Sequence, residues 1–555
     1  MTRVASWIIE GGLVFDGLGG EPAVADVLVR DGRIAALGPP LGPALEGHDA
    51  RRLPAAGLAV APGFIDLHSH ADLILALPPE ARRSLQRGKL LQGITTEFAG
   101  NCGLGAAPLT PASAEQVRAV VSWMTPDGVA WGWDGFGSYL ECIEESPLPM
   151  NAGFLAAHGP IRAAALGMEA VRADARAIDR MQGLVREALS AGAFGLSSGL
   201  IYPPGMHADT DELVATALPL GGANAVFTSH IRGSSETLLP AVDELLEVGR
   251  RAGCAVHHSH SEAVGPAHWE KIGQVLAAEE NARSRGQRVT FDLFPYHAAA
   301  TMMAAIYPPW ALAGGIESLL ERLEADSERA RIRRAVESQI PSWPPWEKDG
   351  WPHNLVLACG YERIFVARTG GRSGGRFDGL SLAALGDVRG IDPFDAVSDL
   401  MIEERGEVGQ WIFGISGEEG ADHPLAQLLE SPFAAVATDA CEYGSGAPHP
   451  AAYGTFPRIL SRYVRERRLL TLPEAIRRMT SLPAAVMGLS GRGRLAPGYA
   501  ADIVVFDPGS IADRATFEEP RALAHGIHHL FVNGVPAVLD GATTDRDAGQ
   551  LLRRR

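Results

Sequence analysis

Lysine is nearly absent from this chain of 555 residues, which contains only three lysines, Lys89, Lys271 and Lys348. A lysine amine can act as a base, as a nucleophile or, once carboxylated, as a metal bridge, so its scarcity restricts where such chemistry could lie. Lys89 and Lys271 fall in helical patterns, and Lys348 falls in a stretch rich in tryptophan and proline. Few catalytic lysines are therefore possible.

Cysteine is also scarce, and long apolar runs are missing. The five cysteines are odd in number and widely scattered, so they do not form a disulfide framework, and any important cysteine would act as a thiolate in a reducing compartment. No run is long enough to span a bilayer, and the first fourteen residues lack a basic region and a small-residue cleavage site. A cytoplasmic location is expected. The cysteines are Cys102, Cys142, Cys254, Cys359 and Cys441.

Positive charge is in deficit, because the formal net charge is −17. A surface that binds nucleic acid or an anionic membrane needs a positive face, so both partners are excluded and a small molecule is expected. The length and a hydrophobic content of 46% allow a large barrel or several domains. Association into an oligomer stays open.

The two ends of the chain share a pattern of short strands and turns. Strands are predicted at 7–9, 13–15, 25–30 and 33–37, and again at 501–506 and 530–532. We expect residues 1–60 and 490–555 to form one small β-sandwich domain, and residues 61–489 to form a hydrolase barrel.

The middle of the chain alternates apolar strands with helical patterns, such as 177–191, 236–252 and 268–281, which predicts a parallel α/β sheet. Eight such units favour a closed (β/α)₈ barrel of the TIM type over an open sheet. Two long insertions, at about 105–148 and about 297–360, are candidates for lids or pocket walls. The first of these strands is predicted over 58–67. The eight strands are predicted to end near His68, Cys102, His158, Ser198, His230, His260, Phe294 and Asp439.

Six residues of metal-ligand type fall at predicted strand ends, and in a barrel these ends meet at the rim where active sites are built. Imidazole, thiolate and carboxylate together favour Zn²⁺ over Mg²⁺ or Ca²⁺. Such a metal would polarise a carbonyl and acidify a water, with Asp439 as the base and acid. Each residue alone has a structural alternative: paired histidines can face solvent, and an aspartate can cap a helix. The six are His68, His70, Cys102, His230, His260 and Asp439.

Strand alternation predicts the faces of two other histidines. His258 is expected to share the face of His260, one layer down in the barrel, as a core histidine, while His257 points toward the helices. His158 is a candidate for a substrate contact or for support of the site.

Several segments resemble the amidohydrolase superfamily, and within it the N-acyl-D-amino-acid deacylase (D-aminoacylase) family. The resemblance covers nearly the whole chain, and the paired histidines together with the Gly-Asn-Cys-Gly segment make it highly specific. The matching segments are 62–70 (PGFIDLHSH), 93–96 (GITT), 100–103 (GNCG), 195–205 (GLSSGLIYPPG), 229–232 (SHIR), 259–260 (SH), 294–296 (FPY), 453–458 (YGTFPR), 479–484 (MTSLPA) and 497–502 (PGYAAD).

The resemblance implies the barrel with a small β-sandwich built from both termini. It also implies that Cys102, His230 and His260 hold one tightly bound Zn²⁺, with His68 and His70 at a second, weaker position and Asp439 as catalytic acid and base. Tyr296 matches a tyrosine near the substrate, and Arg232, two residues after His230 in the same motif, is a further candidate for a substrate contact. No lysine stands on the fourth strand, so a carboxylated-lysine bridge is excluded and Cys102 takes that place.

The chain also departs from the family pattern. Residues 233–236 (GSSE) replace an acidic pair, Glu262 stands where the family has a lysine, and Thr438 and Ala440 replace Ser and Gly around Asp439. Glu262 would repel a substrate carboxylate if it faced the pocket. The leading hypothesis is zinc-dependent hydrolysis of a linear amide, most simply an N-acyl-D-amino acid. The alternatives are a cyclic or dipeptide-like amide, or a scaffold without catalysis.

Overall fold

The computed structural model describes residues 6–39, 41, 50–347 and 349–554, so Lys348 lies outside the described residues. The strands are β1 (Ser6–Val14), β2 (Ala23–Arg30), β3 (Arg33–Gly38), β4 (Ala50–Pro54), β5 (Ala59–Pro62), β6 (Phe64–Asp66), β7 (Ile94–Ala99), β8 (Asn151–Phe154), β9 (Ala156–Ala157), β10 (Gly195–Gly199), β11 (Val226–His230), β12 (Ala255–His258), β13 (Val289–Leu293), β14 (Ala298–Met302), β15 (Ile364–Thr369), β16 (Val408–Phe413), β17 (Ala434–Val436), β18 (Ile503–Phe506), β19 (Ile527–Val532), β20 (Val535–Leu539) and β21 (Ala542–Thr543).

The α-helices are α1 (Asp72–Leu75), α2 (Pro79–Leu90), α3 (Ala114–Val121), α4 (Phe136–Glu144), α5 (His158–Leu166), α6 (Ala175–Ala191), α7 (Thr210–Ala223), α8 (Leu238–Ala252), α9 (Ile272–Ser284), α10 (Ile316–Glu324), α11 (Asp326–Ser338), α12 (Leu355–Cys359), α13 (Leu382–Arg389), α14 (Pro393–Glu403), α15 (His423–Glu430), α16 (Ala451–Arg458), α17 (Leu472–Met479) and α18 (Ser481–Val486). Within the described part of the chain, no helix is both long and apolar enough to cross a membrane.

The barrel is a ring of parallel strands. Strands β6, β7 and β8 pair in that order, and β9 to β13 continue the ring to β17. Only Leu155 separates β8 from β9, and a parallel bridge between Ser69 and Ala440 joins the end of β6 to the segment after β17. The predicted (β/α)₈ fold is confirmed, with all eight strands near their expected positions.

Local signals set the bounds of the barrel helices. The Asp174 carboxylate accepts a hydrogen bond from the backbone N–H of Ala177 and caps α6, which ends at Gly192 with φ of 111°. Asp209 caps α7 in the same way through the N–H of Glu212. The apolar faces of these helices then pack on the strands.

Both ends of the chain form one nine-stranded sheet in the order β21-β20-β19-β18-β5-β1-β2-β3, with β4 paired to β1. The two strands predicted at 7–9 and 13–15 are one strand, β1, whose pairing register shifts between Ile9 and Gly12. The strand predicted over 58–67 is two strands, since β5 joins the terminal sheet and β6 the barrel. Gly63 allows this change because a side chain there would collide with Thr95. The domain boundaries themselves stay a prediction.

A second folded layer lies between β13 and β17. Strands β14, β16 and β15 form an antiparallel sheet, and α10 to α14 pack around it. The other long connection, about 105–148, contains α3 and α4.

Candidate metal centre

Three of the six predicted donors stand on strained backbone at the ends of barrel strands. Cys102, His260 and Asp439 have φ of 54°, 36° and 46°, in the left-handed region that non-glycine residues rarely adopt. Gly103 makes the turn at Cys102 possible, because a side chain there would collide with the backbone of β10. Such strain persists where the surroundings hold it and is common at functional sites.

One group of donors is built around Asp439. Its Oδ1 lies 3.1 Å from His68 Nε2 and 3.3 Å from His70 Nε2. The Sγ atom of Cys102 lies 3.2 Å from the same His68 Nε2. Donor atoms of these four residues lie within 4.8 Å of one another, which is close enough for one ion to contact them.

A second group consists of Cys102, His230 and His260, whose donor atoms also lie within 4.8 Å of one another. The Cys102 Sγ atom is 3.6 Å from His260 Nε2. His230 Nδ1 faces the hydroxyl of Tyr202 at 3.5 Å, and that hydroxyl is 2.7 Å from Thr301 Oγ1. Cys102 is thus the one residue shared by both groups, as a bridging thiolate would be.

The electrostatics of the cluster favour a cation at its centre. Burial would raise the pKa of the Cys102 thiol, but the His68 charge and hydrogen bonds from His230 and His260 hold it well below its ordinary value. Burial also opposes ionisation of Asp439, yet the charges of His68 and His260 keep its pKa well below its usual range. The site therefore contains two stabilised anions that need positive charge beside them.

The excess of negative charge in the cluster also shifts the pKa values of the histidines. Burial lowers the pKa of each imidazole, but the anionic neighbours raise the pKa of His68 well above its ordinary value, that of His70 to about 9 and that of His260 to about 10. Burial and the His260 charge lower the pKa of His230 to about 4. Without a metal, protons on these rings supply the positive charge that a divalent ion would otherwise supply.

Zinc fits this donor set. A buried thiolate, imidazoles and a carboxylate are the ligands that Zn²⁺ prefers, and the cluster combines them. Zinc is the metal that the sequence predicted. The ligand role of each residue stays a prediction.

Asp292 orients this cluster, and sequence reasoning missed it. Its Oδ2 accepts hydrogen bonds from His68 Nδ1 at 3.1 Å and His257 Nε2 at 2.9 Å, and its Oδ1 accepts one from the His260 backbone N–H at 2.7 Å. A carboxylate on the far nitrogen of a ligand histidine fixes the ring and directs the other nitrogen to the metal. The signal that the sequence offered for Asp292 is the position of this carboxylate one residue before the end of the barrel strand β13.

The predicted faces of two histidines are wrong. His257 faces Asp292 in the barrel, whereas His258 points outward and its Nδ1 lies 3.0 Å from Glu279 on α9. The alternation of side-chain faces along the strand does not extend to His260, because β12 ends at His258 and the backbone turns before His260. His258 is nevertheless buried, as expected of a core histidine.

Lys89 forms buried hydrogen bonds that support residues next to the donor cluster. Its Nζ donates hydrogen bonds to Asp66 at 2.9 Å, Glu97 at 2.8 Å and Ser69 at 2.6 Å, all of them buried. Asp66 in turn accepts hydrogen bonds from Thr438 beside Asp439. The helical assignment of Lys89 is right, but its charge partners could not be inferred from that pattern.

A cavity of about 510 Å³, including its mouth, opens onto the cluster. Its walls are mainly apolar, which is typical of a small-molecule site. Glu262 faces this cavity, and burial together with the negative charges of Asp439 and Cys102 raises its pKa to about 7. The lining residues are His70, Cys102, Leu104, Trp123, Ile201, Tyr202, His230, His260, Glu262, Val264, Ala299, Ala300, Thr301, His353, Leu355, Ile412, Ile415 and Asp439.

The three substrate-contact candidates lie outside this lining. Arg232 is buried and its Nε and Nη2 bind Glu244 at 2.9 and 3.0 Å. His158 begins α5, with Nε2 3.5 Å from Glu212 Oε1. Tyr296 lines a smaller adjacent cavity with His260 and Glu262, and the Arg458 guanidinium lies 4.7 Å from its ring. Contact with substrate stays a prediction for all three.

Comparisons with known proteins agree with this geometry. The family model described as "Amidohydrolase family" matches residues 54–538. The chain is 34% identical to an N-acyl-D-glutamate deacylase of Alcaligenes xylosoxydans xylosoxydans, covering 100% of this chain and 98% of the relative. It is 31% identical to a D-aminoacylase of the same organism, covering 99% and 97%.

A solved structure is similar over its full length. It is the N-acyl-D-glutamate deacylase of Bordetella bronchiseptica, complexed with zinc and a phosphonate inhibitor that mimics the tetrahedral intermediate of that enzyme's reaction. The sequence identity is 31%, the TM-score is 0.80, and the match covers 99% of this chain and 100% of the other.

Proposed function

The chain belongs to the amidohydrolase family and, within it, to the N-acyl-D-amino-acid deacylases, and from this premise we propose that it is a zinc-dependent hydrolase of N-acyl-D-amino acids. The products are a carboxylate and a free amino acid. The observation that carries the proposal is the Cys102-centred donor cluster, which a cavity at the rim of the barrel reaches.

Cys102, His230 and His260 would hold the tight zinc ion, and His68 and His70 would serve a weaker second position. The shared place of Cys102 in both donor groups supports this assignment. When bound, zinc polarises the amide carbonyl and acidifies the attacking water. Asp292 holds the His68 ring so that its Nε2 faces Cys102 and Asp439.

Asp439 is proposed as the general base and acid. It lines the cavity, and its low pKa keeps the carboxylate ionised, which is the state that a general base needs. The water oxygen bonds to the carbonyl carbon, the carbon–nitrogen bond breaks, and Asp439 delivers the proton to the leaving nitrogen.

The remaining alternatives are less well supported. A D-hydantoinase structure is similar at 15% identity and a TM-score of 0.55, a likeness that shows the fold alone and does not support a cyclic amide as substrate. A scaffold without catalysis would lack ligands, whereas all six predicted donors gather at one rim.

Two finer expectations belong to the same proposal. A cytoplasmic location is supported by the five cysteines, all of them free. The division into a terminal β domain and a barrel domain is supported by the separate apolar cluster of the terminal sheet, which includes Trp7, Ile9, Ile503 and Phe531.

The test is turnover by zinc-loaded protein of N-acetyl-D- and N-acetyl-L-amino acids and of dipeptides. We expect hydrolysis of the D-series, and Asp439→Asn should bind zinc but lose about 100- to 10,000-fold in kcat. The exposed Asp243→Asn on α8 is the matched control and should keep full activity. Absence of turnover across the panel with zinc bound would overturn the proposal.

A further inference from the structure

Glu262 is a buried carboxyl group that faces the cavity without a full set of partners. Only 7% of the residue is exposed, and its nearest charged partner is His260, with 3.7 Å between Oε1 and Nδ1. Its Oε2 is buried and has no hydrogen-bond partner. Buried carboxyl oxygens are normally paired, so this atom is an acceptor without a donor among the described residues.

The positive charge nearest to Glu262 in its cavity is that of His260. None of the described residues that line this cavity is a lysine or an arginine. Arg232, two residues after His230, is fully buried and its guanidinium is occupied by Glu244. A second negative group brought beside Glu262 would therefore be repelled by its carboxylate, with no lysine or arginine in the described lining to offset the repulsion.

The wall beside Glu262 is apolar. Val264, Ile412, Ile415 and Leu355 line the same cavity. Such a surface packs well against a methylene chain, and a carboxyl group at its edge suits a charged chain end. The combination is complementary to a long cationic side chain.

We propose that Glu262 selects N-acyl-D-amino acids with a cationic side chain, lysine or arginine, and disfavours those with an acidic side chain. The proposal rests on the deacylase function above. The α-carboxylate is common to all these substrates, so it does not affect their ranking.

The experiment compares two matched substrate pairs on zinc-loaded protein. N-acetyl-D-lysine against N-acetyl-D-norleucine isolates the attraction, and N-acetyl-D-glutamate against N-acetyl-D-glutamine isolates the repulsion. We expect lysine to exceed norleucine, and glutamine to exceed glutamate, each by about tenfold or more in kcat/KM.

Variants assign these ratios to Glu262. Glu262→Gln should reduce both kcat/KM ratios, lysine to norleucine and glutamine to glutamate, toward one. Glu262→Lys should reverse the ratio of glutamine to glutamate. Glu262→Asp should keep lysine above norleucine and glutamine above glutamate. Glu141→Gln, at an exposed position of α4, is the matched control and should leave both ratios unchanged. Zinc content is measured for every variant, because Glu262 stands close to His260.

The outcomes separate the two proposals. Failure to hydrolyse any N-acetyl-D-amino acid with zinc bound contradicts the deacylase function. Turnover of norleucine and glutamine substrates without a preference for lysine contradicts only the role of Glu262. If Glu262→Gln does not fold, the wild-type ratios and the Glu262→Asp ratios still decide, since equal rates within both pairs would overturn the inference.

Discussion

Cys102 is the residue on which both donor groups depend, because its Sγ atom lies within reach of His68 and His260. Its backbone lies in the left-handed region. The preceding residue, Asn101, supports this turn, because its side-chain amide donates a hydrogen bond to the Phe98 carbonyl at 3.0 Å. A thiolate in this place is fixed before any ion arrives. Preorganised ligands of this kind raise metal affinity.

Removal of this thiolate should remove the metal. Cys102→Ala is expected to lower zinc affinity by at least about 100-fold, since even supporting residues of zinc sites contribute 10- to 100-fold. Zinc content after dialysis and competition with a chelator measure the change. Cys254→Ala, at another buried free cysteine, is the control and should retain zinc. A Cys102→Ala variant with full zinc and activity would refute the proposed coordination.

Single residues also show which features of the site the sequence predicts and which it does not. The six donors were predictable because each follows an apolar strand and carries a ligand atom. Asp292 and Lys89 were not, because their roles depend on partners such as His68, which is 224 positions from Asp292, and Asp66. Whether Glu262 faces the cavity depended on the turn after β12, which no pattern of alternation describes.

At the scale of elements, the strand and helix pattern predicted the barrel closely. Helix α6 begins two residues before the predicted start at Ala177 and ends at Ala191 as predicted. The errors lie at element ends, where a run such as 58–67 divides between two sheets at Gly63. Apolar runs indicate burial, but they do not indicate which sheet a strand joins, since that depends on partners far along the chain.

Helices α5 and α7 are joined by a buried ion pair. Arg162 Nε lies 2.8 Å from Glu212 Oε1, and Arg162 also donates to the Glu169 and Val171 carbonyls. Burial opposes the charge of Glu212, but the His158 hydrogen bond and the Arg162 charge lower its pKa below the ordinary value. Because the folded pKa is depressed, the pair stabilises the protein above the ordinary glutamate pKa and loses this effect as pH falls through the folded pKa.

Glu212→Gln should therefore destabilise the protein in a pH-dependent way. At pH 7 we expect a loss of about 3 kcal/mol, because Arg162 keeps a buried charge without its partner. The difference from wild type should shrink as pH falls below about 4.3, where the glutamate of the unfolded chain is protonated. Thermal unfolding across this pH range measures it, with the exposed Glu321→Gln on α10 as control. A difference that stays constant with pH would exclude this role of the ion pair.

Across the whole molecule, the C-terminal segment connects the terminal sheet to the barrel. Asn151 of β8 donates to Asp502 at 3.2 Å and accepts from Asn533 at 2.7 Å, both in the C-terminal part of the terminal sheet. The chain then runs along the barrel beside Ala152. These contacts were not predictable, since residues near 550 carry no strand pattern.

A chain that stops after residue 547 tests this connection. It loses four backbone hydrogen bonds: Gly549 to Leu148, Ala152 to Gln550, Leu552 to Ala152 and Arg554 to Gly192. At about 1 kcal/mol each, partly offset by water at the freed edge, we expect a loss of about 2 kcal/mol in unfolding free energy and a lower Tm. Arg553→Ala in the full chain is the control, because it keeps the four backbone bonds and removes only exposed side-chain contacts, the ion pair with Glu144 and a hydrogen bond to the Ala191 carbonyl, which contribute little. An unchanged Tm in the shortened chain, or an equal loss in the control, would show that these backbone bonds do not hold the barrel edge.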